Sequence, residues 1–222
     1  MTPRSPWRLS AAAPCSGRDV VSEPDDSAPG WDAIDAALAA RYGDQRPRHV
    51  GSGAPASLSQ HLQGCSAYAA EGHWHYVTYG LSELFEPIPE ANPEVSGWGF
   101  ELTMRVPRDG DEPPAWPFRM LDEIAQYVND SRAVLAPGHR IDFRQPVTGH
   151  PEVEGAPPTG LTVFAFAVDP ELGEIDTPNG TVVFLQAVGV TDEEKQRMVA
   201  GSTAEVLAGL GDPLLLTDPS RA

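Results

Sequence analysis

Apolar positions recur along the chain with two distinct periods. In GWDAIDAALAARYG, residues 30–43, Trp31, Ile34, Leu38 and Tyr42 fall three or four residues apart, the spacing of one helix face. Asp32 and Asp35 suit the positive end of the helix dipole, and Gly43 supplies a left-handed stop. A second helix follows from DEPPAWPFRMLDEIAQYVND, where Pro117 fits a first turn and Leu121, Ile124 and Val128 share a face. A third is expected from the capping box TDEE at Thr191 to about Leu210, with Gly211 as its stop.

Elsewhere the period drops to two. HWHYVTYGL and GWGFELTMRV are aromatic and β-branched strands, separated by FEPIPEANPEVS, whose prolines forbid a continuous ladder. They predict an antiparallel pair with a long loop. PGHRIDF turns into a short strand, and TGLTVFAFAV reads as a buried one. GEIDTPNGTVVFLQAVGV carries Asn179-Gly180 between two strand-like runs, a hairpin signal. PLLLTD is expected to be a last strand, and residues 44–64 a loop holding at most a short strand. Residues 1–29, rich in Pro, Ser, Ala and Asp without periodicity, predict a disordered leader before one domain at 30–222. The sum is an α+β fold: a mixed, largely antiparallel sheet flanked by about three helices, without internal repeat.

Charge narrows what such a domain meets. The 222 residues hold 15 Lys and Arg against 32 Asp and Glu, a formal charge of −17. The excess is not confined to the leader, where Arg4, Arg8 and Arg18 face Asp19, Glu23, Asp25 and Asp26. An acidic surface repels phosphate backbones and anionic lipid, so no nucleic acid and no membrane is expected as a partner. A basic protein fits better. No stretch approaches the roughly 18 apolar residues of a membrane span, and LSAAAP is too short for a signal-peptide core. Cys15 and Cys65, the two cysteines, cannot build a disulfide framework, so a cytoplasmic location is expected.

Candidate chemistry is sparse. On a strand, His73 and His75 share a face with Val77 and Tyr79, and His49, His61, Glu83 or His139 could supply a third metal ligand. Nothing in the spacing demands one, and the histidines read as structural or interfacial strand residues. A metal-dependent enzyme built on His73 and His75 remains the competing reading. Ser82 lacks the flanking glycines of a nucleophile elbow. Gly97 and Gly99 lack the third glycine of a dinucleotide loop and predict a bend with close backbone approach. Asp169, Glu171, Glu174 and Asp176 read as solvated turn charges. No catalytic residue, metal or cofactor is therefore assigned.

The blocks GWDAIDAAL, HWHYVTYGLSELFE, SGWGFELTMRV, WPFRMLDEIAQYV, PGH, TPNGTVVFLQAVGVTDEE and PLLLTDPSR, in that order, resemble the Suppressor of fused family in its bacterial form, over about residues 30–221. The resemblance implies a non-enzymatic binding protein with a mixed sheet and flanking helices. The animal relative restrains a zinc-finger transcription factor by clamping an extended peptide between two lobes through β-strand addition. Bacterial relatives are associated with toxin loci as immunity proteins. The resemblance covers the N-terminal lobe alone, so clamping between lobes does not carry over. It implies a protein partner, a basic toxin or an extended peptide, met near Phe85, which follows LSEL, and Glu94, in the loop before SGWGFEL.

Overall fold

The chain is described by a computed structural model over residues 27–51, 61–85 and 94–222. The expected leader lies almost wholly outside the described residues. Helix α1 (Pro29–Tyr42) opens with Pro29 in its first turn and Asp32 near its N-terminus. Gly43 ends it at φ 60°, its N–H donating to the Ala39 carbonyl. Strands β1 (Arg48–Gly51), β2 (Gly64–Ala69), β3 (His73–Tyr79) and β4 (Val95–Pro107) follow, then helix α2 (Trp116–Ser131) and the short β5 (Arg140–Asp142). Strands β6 (Val163–Val168), β7 (Glu174–Thr177) and β8 (Gly180–Val190) complete the sheet. Helices α3 (Asp192–Ala200) and α4 (Thr203–Ala208) and a 3-10 turn (Pro219–Arg221) close the chain.

The eight strands form one sheet in the order β1-β2-β3-β4-β8-β6-β5, with β7 beside β8. β3 and β4 pair antiparallel as expected, and Asn179-Gly180 turns the β7–β8 hairpin. Among the described residues one pair is parallel, β4 with β8, and it makes the sheet mixed. Its two faces sort by strand alternation. Trp74, Tyr76, Leu102, Met104, Phe164 and Phe166 pack with Leu121, Ile124 and Val128 of α2. On the other face Val77, Tyr79 and Phe184 meet Ile34 and Leu38 of α1, while Val163, Ala165 and Val188 meet Met198 and Leu207 of α3 and α4. Burial of these side chains, roughly 1.5–3 kcal/mol each, is the main force holding the layers together.

Three expectations change. The run from Thr191 to Leu210 is two helices: the capping box forms, with Thr191 and Glu194 exchanging bonds, but Gly201 ends α3 and Ser202 caps α4 through the Glu205 N–H. Hence, among the described residues, four α-helices flank the sheet. PLLLTD is not a strand. Leu215 sits at φ 53°, which breaks an extended run, and the segment is held instead by Gln186 donating to the Leu214 and Leu215 carbonyls and by Thr217 N–H donating to the Arg105 carbonyl. Finally, GCSAYA forms strand β2 where no strand was expected. Gly64 leaves room there for the His49 ring of β1, which a Cβ would approach to 2.4 Å. No helix among the described residues is long and apolar enough to cross a membrane.

Candidate functional site

Glu101, on β4, is fully buried on the sheet face that alternates with Leu102 and Met104. One carboxylate oxygen accepts from the N–H groups of Gly80 (2.8 Å), Leu81 (3.1 Å) and Ser82 (2.9 Å) and from the Ser82 hydroxyl (2.6 Å). The other accepts from the Thr78 hydroxyl at 2.6 Å. Burial raises the Glu101 pKa, and these donors partly oppose the rise. The effect is to clamp the chain leaving β3. Ser82 is buried and donates its hydroxyl to Glu101 as part of this clamp.

The glycines of SGWGFEL complete the clamp. Gly97 has φ 56°, and a Cβ there would come within 2.7 Å of the Leu81 carbonyl oxygen and 2.9 Å of the Glu83 nitrogen. This is the close backbone approach the sequence predicts. Trp98 N–H donates to Leu81, and Glu83 N–H to the Ser96 hydroxyl. Leu84 is buried against α1, its carbonyl accepting from Gly30 N–H at 3.0 Å. The next residue therefore faces outward. Phe85 is 49% exposed, and Val95 is 40% exposed.

The β7–β8 turn holds both flanks of the intervening loop, whose residues 86–93 lie outside the described residues. The Asn179 side chain donates to the carbonyls of Glu83 (2.9 Å) and Phe85 (2.5 Å). Thr181 N–H donates to the Glu94 carbonyl at 3.1 Å. Phe85 and exposed Glu94 are thus anchored to one turn at positions two residues apart. They form one apolar and acidic rim at this end of the sheet.

The histidines of β3 go elsewhere. His75 is fully buried, with Nε2 3.1 Å from Asp169 and Nδ1 2.8 Å from the Tyr42 hydroxyl. The carboxylate takes the proton on Nε2, so Nδ1 accepts from Tyr42. Burial chiefly lowers its pKa to about 4, against the opposing bond to Asp169, and the ring is neutral at pH 7. Burial also lowers His73, which bonds the Glu71 carbonyl through Nδ1 at 3.1 Å. Among the described residues no group of three or more His, Cys, Asp or Glu is placed to hold a metal ion.

Asp169 is the largest correction to the sequence reading. It is not a solvated turn charge but a buried hub, accepting from both terminal nitrogens of fully buried Arg105 (2.7 and 2.9 Å) and from Thr103 at 2.7 Å. Burial alone would raise its pKa, yet the bonds from His75 and Arg105 hold it well below the usual carboxylate range. Glu171 is also drawn in, accepting from Arg105 at 3.1 Å and from Arg41 of α1. Arg105 and Asp169 are 64 residues apart, so no local motif announces the pair. The network fills the space between the two apolar clusters on this face and fixes the 169–172 turn, whose Glu171 and Leu172 N–H groups also bond Asp169.

Comparison with known proteins gives consistent results. Residues 59–222 match the family model described as Suppressor of fused protein (SUFU). The human Suppressor of fused homolog is 32% identical over 161 residues, covering 67% of this chain and 32% of that protein, and the mouse homolog matches equally. The chain therefore spans about a third of the length of these relatives. Among solved structures, a chain of the Sufu-Fu complex superposes with a TM-score of 0.75 at 30% identity, covering 88% of this chain and 92% of that one. Drosophila Suppressor of Fused gives 0.76 at 30% identity, over 88% of this chain and 51% of that one. A SUFU homolog from Neisseria gonorrhoeae gives 0.56 at 14% identity, over 83% and 92%, a likeness of fold alone.

Proposed function

The chain belongs to the Suppressor of fused family, and from that membership we propose that it is a non-enzymatic protein-binding module whose partner docks on the rim formed by Phe85, Glu94 and Val95. The observation that carries this reading is Phe85: a large aromatic ring left half exposed at the end of a turn held by Glu101 and Asn179. Holding such a ring in place before binding lowers the entropy lost on association, and aromatic anchors of this kind dominate many interfaces. Glu94 and the charge of −17 favour a partner segment that is basic around an apolar anchor. The solved Sufu-Fu complex, similar over most of this chain, supports a protein as the ligand class.

The finer form of the proposal is an immunity role, with a basic toxin as the partner. Its support is the acidic surface, which would speed capture of a basic protein by electrostatic steering. Both forms are tested by a pull-down from the source cells with wild-type chain and Phe85→Ala side by side, at low and high salt. A protein retained by the wild type and lost with the variant, captured more slowly at high salt, supports docking on this rim. Equal retention by both refutes it. Co-expression with a candidate toxin then separates the two forms: growth rescued by the wild type and not by Phe85→Ala is the expected result for immunity.

A further inference from the structure

On the face of the sheet that α1 covers, the rings of Trp31 from α1, His49 from β1, Tyr68 from β2 and Tyr79 from β3 line an open cleft of about 440 Å³. Four elements thus bring aromatic side chains to one place. Trp31 stacks on Tyr79 with 4.6 Å between ring centroids, while His49 stands 5.8 Å from Trp31 and edge-on to Tyr79 at 6.0 Å. Tyr68 is held by Tyr42, stacked on it at 4.6 Å. The Ser66 hydroxyl fixes His49 through Nδ1 at 2.9 Å. The rings are therefore placed before any ligand arrives.

The electrostatics of the lining are mostly negative. Asp35 of α1 accepts from the Tyr79 hydroxyl at 2.9 Å through one carboxylate oxygen, which leaves the other for a ligand. Gln45 donates through its side-chain nitrogen to the Ala69 carbonyl at 3.1 Å and keeps its amide oxygen as an acceptor. The C-terminal end of α1 borders the cleft at Ala39 and Gly43, presenting the negative end of the helix dipole. Arg41, the basic residue of that last turn, is drawn away to Glu171. Burial lowers the His49 pKa from its ordinary value of 6.5, against the opposing pull of Asp35, so the ring is largely neutral at pH 7. Arg46, exposed on the rim, is the opposing charge.

We propose that this cleft takes the guanidinium group of an arginine side chain presented by a partner protein. A guanidinium is a flat, delocalised cation with five donors and no acceptor. It can lie against the negative faces of the rings while its N–H groups meet the oxygens of Asp35 and Gln45. A lysine ammonium is drawn by the same field, but it is more strongly hydrated and cannot stack. The overall charge of −17 speeds encounter with a basic protein segment. The site does not involve Phe85, and the proposal does not require the reading given to that rim.

The test uses the full chain, labelled with nitrogen-15, and N-acetyl-arginine methylamide as probe, with the matching lysine and citrulline compounds beside it. Saturable shifts in the millimolar range are expected at the Trp31 indole N–H and at the amides of Gly43 and Gln45 with the arginine compound. The lysine compound should bind more weakly and the uncharged citrulline compound not at all. Asp35→Asn keeps an oxygen for the Tyr79 hydroxyl but removes the charge, and should weaken binding about tenfold. Asp109→Asn removes the same charge from the exposed loop after β4 and should leave binding unchanged. Arg46→Ala removes the opposing charge and should tighten binding about threefold. Equal binding of the lysine or citrulline compound, equal losses in the two Asp→Asn variants, weaker binding by Arg46→Ala, or no saturable shift would each overturn the proposal. Binding of free arginine without binding of the capped compound would overturn it too, by assigning the cleft to a small molecule instead of a protein side chain.

Discussion

Lowering the pH from about 7.5 to about 5 charges His75 in the unfolded chain while the folded chain keeps it neutral. Its folded pKa is lowered by burial to about 4, from the ordinary value of 6.5. The unfolded state therefore binds one more proton across the interval between those values, and stability falls as pH falls through it. At pH 5 the unfolded form is nearly all protonated and the folded form is not, so the loss attributable to His75 is about 2 kcal/mol. Full burial of the ring leaves no solvent screening to discount. His73 and His49, both lowered by burial, add losses of the same sign in both proteins of the comparison below. Asp169 does not overlap the interval, because a depressed carboxylate keeps its contribution above about pH 4 and loses it only below. Urea unfolding at closely spaced pH values, for the wild type and His75→Gln, reads the effect directly. Glutamine can still donate to Asp169 but does not titrate, so the variant should start less stable and lose about 2 kcal/mol less between about pH 7.5 and 5. Parallel pH profiles for the two proteins would refute a neutral, buried His75.

Other consequences follow from the same packing. Asp169→Asn replaces one carboxylate oxygen with an amide NH2 group facing donors and leaves Arg105 buried without its counter-charge, which should cost about 3–5 kcal/mol in chemical denaturation. A loss under about 1 kcal/mol would mean that Arg105 finds other compensation. Gly97→Ala places a Cβ against Leu81 and Glu83 at positive φ and should destabilise by more than about 1 kcal/mol, read from the thermal midpoint. Phe85→Ala should change stability by no more than about 0.5 kcal/mol, since the ring is half exposed, while partner retention drops. A large stability loss would instead make Phe85 a core residue.

Much of this molecule was legible before its three-dimensional arrangement. The 3.6-residue stripe of Trp31, Ile34, Leu38 and Tyr42, the stripe of Leu121, Ile124 and Val128, the capping box at Thr191 and the Asn179-Gly180 turn are local signals, and each produced its element. The aromatic run HWHYVTY likewise became strand β3. Errors arose where local preference was outweighed. GCSAYA has few strand formers, yet it lies between β1 and β3, whose ladders satisfy its backbone on both sides. Gly201 and Ser202 split one apolar stripe into two helices.

The polar interior was not legible at all. A carboxylate such as Asp169 in DPELGEID reads as a solvated turn charge because nothing within hydrogen-bonding range in sequence can neutralise it. Its side-chain partners come from β3 and β4, which meet it only after the sheet has closed with β4 parallel to β8. Glu101 is the same case: its donors lie about twenty residues upstream, across the β3–β4 pair. Periodicity and turn chemistry act over a few residues and therefore select elements. The burial of a charge depends on which distant group arrives beside it, and for Arg105, Asp169, His75 and the turn presenting Phe85 that is a property of the assembled sheet.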